Sequence, residues 1–93
     1  MKTLGKETTY RIIEAIEARF REYNLYADVY DDYCGICIDI SWGDWKHEHL
    51  RSRWLAGEVL DMMGYENKYS FTTQVTEENG SDCYSAIHTI RFN

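Results

Sequence analysis

Cys34 and Cys37, separated by Gly35-Ile36, and His47 and His49 further along supply thiol and imidazole donors of the kind a tetrahedral zinc site uses. Their spacing reads against such a site. On a strand, residues three apart point to opposite faces, and here an Ile-rich strand replaces the tight turn of a zinc knuckle. On a helix, residues two apart diverge by roughly 200°. His47-Glu48 has no second His four residues after the first, and no His-x-Glu is followed by Pro-Cys-x-x-Cys, so both catalytic zinc patterns fail. The chain is expected to fold without metal or cofactor.

The same Cys34, Cys37, His47 and His49 carry the enzymatic alternative, a metal-binding or thiol-dependent catalyst. A thiol nucleophile needs a base within reach. Cys83 and His88 are five apart on one strand and fall on opposite faces, and nothing positively selects a pairing of Cys37 with His47 or His49. His88 alternates with Ala86 and Ile90 and reads as a satisfied, half-buried histidine. Asp28, Asp31, Asp32 and Asp39 could ligate Mg²⁺ or Ca²⁺, but the Asp-x-Asp-x-Asp-Gly loop with its distant Glu is absent. The balance leans away from an enzyme.

Between Arg21 and Lys46 stand six acids (Glu22, Asp28, Asp31, Asp32, Asp39 and Asp44) without a single Lys or Arg, and this stretch alone accounts for the net charge of -6. A one-signed segment in an otherwise balanced chain creates a local field that steers charged partners. Tyr26, Tyr30, Tyr33, Trp42 and Trp45 lie among these acids, and aromatic anchors within a charged rim are the composition of a protein-binding surface. Lys46, His47, His49, Arg51 and Arg53 form a small basic patch beside the tryptophans. Nucleic-acid affinity depends on a net cationic footprint, which this acidic chain lacks, so the patch reads as facing the acidic hairpin or a dimer contact.

Ninety-three residues, 44% hydrophobic and 15% aromatic, suit one domain over 1–93 with a core that needs no staples. The first residues lack the apolar run of a signal peptide, and no stretch is long enough to span a bilayer, so the chain reads as soluble and cytoplasmic, with no membrane association. Three cysteines, an odd count, are expected as reduced thiols.

The elements that must position these residues follow from hydrophobic period. Ile12, Ile13, Ile16, Phe20 and Tyr23 recur at helical spacing over 8–23, and Asn24 suits a left-handed cap. Leu25, Ala27 and Val29, then Ile36, Ile38 and Ile40, alternate with polar residues as a hairpin with one apolar face. A second helix is expected to start near Trp42-Gly43-Asp44, with Asp44 suited to its positive end, to bury Leu50, Trp54, Leu55, Val59, Met62 and Met63, and to stop at Gly64. Its interior Gly57 implies close packing against a neighbour. Strands over 68–76 and 83–92 join through 77–81, where Asn79-Gly80 suits a turn of positive φ.

The expected fold is α+β, a two-layer α-β-β-α-β-β domain whose four-stranded, mostly antiparallel sheet carries both helices on one face. Ile16, Phe20, Ile36, Ile38, Leu55, Val59 and Phe71 should share its core. The expected function is that of a small non-enzymatic protein-binding module or inhibitor. Its binding residues are Tyr26, Asp28, Tyr30, Asp31, Asp32, Asp39, Trp42 and Trp45, and its partner is a protein with a basic surface, a second copy of itself, or both. A sharper variant is an inhibitor whose acids imitate nucleic-acid phosphates toward a DNA- or RNA-binding protein, as small acidic phage-encoded inhibitors do.

Overall fold

Helix α1, Lys6–Glu22, buries Ile12, Ile13, Ile16 and Phe20 along one stripe, with Glu7 in its first turn and Arg19 and Arg21 in its last, matching the helix dipole. It ends as Asn24 suggested. Asn24 adopts φ 55°, the Leu25 amide donates to the Phe20 carbonyl at 2.9 Å and the Asn24 amide to Arg21 at 3.2 Å, a Schellman closure. Helix α2, Glu48–Met62, closes the same way: Gly64 has φ 92°, Tyr65 donates to Leu60 at 2.9 Å, and Gly64 donates to Asp61 at 3.1 Å.

The computed structural model describes residues 4–42, 48–77 and 84–93. Besides the helices these form β1 (Ala27–Asp32), β2 (Gly35–Trp42), β3 (Tyr69–Glu77) and β4 (Tyr84–Phe92), in the chain order α1-β1-β2-α2-β3-β4. The fold is α+β, with one four-stranded sheet in the order β1-β2-β4-β3 and every neighbouring pair antiparallel. The two α-β-β halves therefore meet through their second strands. Asp44, and the Asn79-Gly80 turn, lie outside the described residues.

Ile36, Ile38 and Ile40 of β2 stand beside Ile90, His88 and Ala86 of β4, and this face packs on α1 and α2. All seven residues expected in the core are there, six of them buried and Phe71 packed against them half-buried. Gly35 opens β2 with φ +137°, and a Cβ placed on it would stand 1.9 Å from the Ile90 carbonyl oxygen, so only glycine lets the hairpin tip approach β4. Gly57 is a second close approach: its carbonyl accepts from the Tyr69 hydroxyl at 3.2 Å, and an added Cβ would lie 3.3 Å from that oxygen.

The buried face of α2 differs from expectation. Leu55 and Val59 are buried as expected, but Leu50, Trp54, Met62 and Met63 are exposed, and the helix buries Ser52, Ala56 and Leu60 in their place. At 100° per residue Leu50 and Val59 stand on opposite sides of a helix, so no single face could take the whole expected set. The small Ser52 lies against the sheet, its hydroxyl 2.9 Å from His88 Nε2, and the larger Leu50 and Trp54 turn outward. His88 is fully buried rather than half-buried.

Candidate functional site: the acidic face of the first hairpin

Ala27 and Val29 of β1 face the helices, so the strand's alternation sends Asp28, Tyr30 and Asp32 to the opposite side of the sheet, uncovered by any helix among the described residues. Asp28 is the direct cross-strand partner of Asp39, and Tyr30 that of Cys37. Like charges directly opposite one another on adjacent strands are destabilising. Among the described residues neither Asp28 nor Asp39 forms an ion pair; the carboxylates that do are Glu7, Glu22 and Glu58, bridged to Arg11 and Arg19.

Around this pair lie exposed aromatic rings. Tyr26 is 85% exposed and Tyr33, in the turn, is fully so. Tyr30 lies over Cys37, and burial pushes both its phenol and the Cys37 thiol up from their ordinary pKa values, with Asp39 and Asp32 adding to the shift at Tyr30. Cys37 is thus a buried, protonated thiol with its sulfur 3.8 Å from the Thr89 hydroxyl and 3.9 Å from Asp32. Asp32 also accepts the Tyr33 amide at 2.6 Å, which holds the hairpin tip. An open groove of about 670 Å³ at the other end of the hairpin is lined by Glu17, Arg21, Tyr26, Asp28 and Asp39 among others. Asp31, on the helix-facing side of β1 but exposed, lines a separate cavity of about 250 Å³ with Lys6, Tyr33 and Cys34.

Tyr26, Asp28, Tyr30, Asp32 and Asp39 are therefore brought together. Trp42 is not among them. It shares the helix-facing parity of Ile40 and is half-buried, with Tyr84 stacked at 5.8 Å and His49 at 5.5 Å between ring centroids. Its buried indole N–H has no acceptor among the described residues. Trp45 and His47 lie outside the described residues. Cys34 is exposed in the turn and Cys37 buried on the strand, and among the described residues no group of three or more His, Cys, Asp or Glu side chains is placed to hold a metal ion.

Arg51 and Arg53 of the basic patch are turned to internal uses. Arg51 donates to the Tyr23 carbonyl at the end of α1 and lies over the Tyr23 ring, and Arg53 lies 5.2 Å from the centre of the Phe71 ring. Between the helices Arg19 bridges Glu58.

A polar cluster that the sequence did not reveal lies in the core. His88 Nε2 is 2.9 Å from Ser52 Oγ and 3.0 Å from the His49 carbonyl, and Nδ1 is 2.8 Å from Thr73 Oγ1. Ser52 donates to the same His49 carbonyl at 2.8 Å, so a consistent assignment has Nε2–H donating and Nδ1 accepting from Thr73. A serine beside a histidine is the pairing of nucleophile and base, yet both residues are 0% exposed in this structure. The cluster ties α2 to the sheet. The alternation of His88 with Ile90 was the only sequence signal for it.

No family model matches the chain, and no curated protein sequence matches it either.

Proposed function

We propose that this protein is a small non-enzymatic binding module whose uncovered hairpin face engages a basic surface of a partner protein. The observation that carries this reading is the directly opposed, unbridged pair Asp28 and Asp39, flanked by the exposed rings of Tyr26 and Tyr30. Two carboxylates held side by side lower stability and attract cations, a combination that is useful where a cationic side chain is to be received. The tyrosines supply rigid apolar area with a polar tip, and the groove beside them has room for an extended Lys or Arg side chain.

The test compares capture from a lysate of the native host by the wild-type chain and by the Asp28→Lys/Asp39→Lys variant, followed by association kinetics with the identified partner. The expected result is a basic protein held by the wild type, lost by the double reversal, and binding more slowly as salt rises, because exposed charges are screened over about 8 Å at physiological ionic strength. Undiminished affinity of the double reversal for that partner would sink the assignment.

A further inference from the structure

Among the described residues the sheet has two open edges, β1 and β3. β1 is short and carries Asp28, Asp31 and Asp32, so pairing with a copy of itself crowds carboxylates together, a common way for an edge to stay unpaired. β3 has no such protection. From Tyr69 to Thr76 it has neither charge nor proline, and its register with β4 runs without a bulge from Tyr69↔Phe92 to Glu77↔Tyr84.

The hydrogen-bond phase of this edge is fixed. The Asn93 amide donates to the Lys68 carbonyl at 2.9 Å, so by alternation Ser70, Thr72, Gln74 and Thr76 direct their backbone groups toward β4. Tyr69, Phe71, Thr73, Val75 and Glu77 direct theirs out of the sheet, where among the described residues no other element's backbone bonds them.

We infer that β3 is a self-pairing edge: two copies of the chain join antiparallel through β3, about a two-fold axis at Thr73, into one continuous eight-stranded sheet. Only registers that match outward-directed residues with each other make ladder bonds, and the one centred on Thr73 pairs the strand along its whole length. It sets Thr73 beside its own copy, Phe71 beside Val75, and Tyr69 beside Glu77. Phe71 with Val75 is a favourable aromatic and β-branched pair, and it covers Val75, which is 46% exposed in the single chain. On the uncovered face Thr72 stands opposite Gln74 and Ser70 opposite Thr76. Glu77, the strand's one charged residue, stands opposite Tyr69 rather than its own copy. This self-complementarity needs the same sequence on both sides, which is why a second copy fits the edge better than an unrelated peptide.

Mass in solution by light scattering, with backbone amide exchange on the full chain, tests the inference. The expected result is the mass of two chains at micromolar concentration, with slow exchange at the Phe71, Thr73 and Val75 amides that becomes fast on dilution. Thr72→Lys/Gln74→Lys changes two exposed side chains and sets like charges opposite each other across the axis, so it should yield a monomer. Thr72→Lys/Gln74→Glu sets opposite charges there and should restore the dimer. A wild-type monomer overturns the inference, even one that captures a foreign extended peptide. A dimer with fast exchange at those amides overturns it too, as does one that persists in the like-charge variant. No basic partner enters these measurements, so their outcome is separate from that of the acidic-face reading.

Discussion

His88 occupies the centre of β4 with no exposed surface, and burial holds its pKa down at about 4, against an ordinary value of 6.5. Above the unfolded value neither state binds a proton there. Between pH 6.5 and about 4 the unfolded chain takes up a proton that the folded chain refuses, so stability falls as pH falls through this window, by roughly 3 kcal/mol in all. Urea unfolding from neutral pH down to about pH 4 should show that slope, and His88→Gln should remove this part of it. Asp28 presents the opposite balance. Asp28→Lys places a cation opposite Asp39 and should raise stability by about 0.2–1 kcal/mol while weakening partner binding. A thermal melt together with an affinity measurement checks both, and a loss of both would show that Asp28 supports the fold instead. Gly35→Ala should destabilise severely, because the added carbon has no room against the Ile90 carbonyl; a melt unchanged from wild type would contradict that packing.

At the scale of elements, α1 is set by its own stripe and α2 by what it meets. Phe20 is 2% exposed in the core, and Phe20→Ala should cost about 3–5 kcal/mol in a denaturant titration. Trp54, which belonged to the expected stripe of α2, is 63% exposed, and Trp54→Ala should cost far less than Phe20→Ala, within about 1 kcal/mol. The two values measured side by side check the rotation of α2 without a new structure. The strands divide in a related way: β2 and β4 are central and bury most of their helix-facing residues, β2 burying Cys37 as well, whereas among the described residues β1 and β3 each leave one row of backbone groups without a strand partner. β1 carries Asp28, Asp31 and Asp32, whereas β3 carries no charge from Tyr69 to Thr76, which is the contrast behind the self-pairing proposed for β3.

For the whole molecule, the sheet separates two environments. One side packs on two helices and holds the polar cluster of Ser52, Thr73 and His88; the other has no helix packed on it among the described residues and carries Asp28, Tyr30, Asp32 and Asp39 at the β1 end. Among the described residues no helix is long and apolar enough to cross a membrane. On the binding-module proposal the carboxylates stand apart from the core, so reversing Asp28 and Asp39 together should alter binding and its salt dependence with little change in the melting temperature.

Alternation alone placed Ile36, Ile38 and Ile40 inward and Asp28, Tyr30 and Asp39 outward, because a strand's side chains must change sides at each residue wherever it lies in a sheet. The ends of both helices were likewise legible, since Asn24 and Gly64 tolerate the positive φ of a Schellman closure and few other residues do. The direct opposition of Asp28 and Asp39 was not, because it depends on which residue faces which across the hairpin. Trp42 was grouped with the acids by nearness in sequence, yet the parity of β2 carries it to the helix-facing side. The rotation of α2 and the bonding of His88 depended on groups far apart in the chain. Ser52 is small enough to come within bonding distance of the buried imidazole of His88, and a buried polar group needs such partners. Local periodicity decides which residues share a face; only the assembled sheet and helices decide what each face meets, because that depends on groups the chain brings together from a distance.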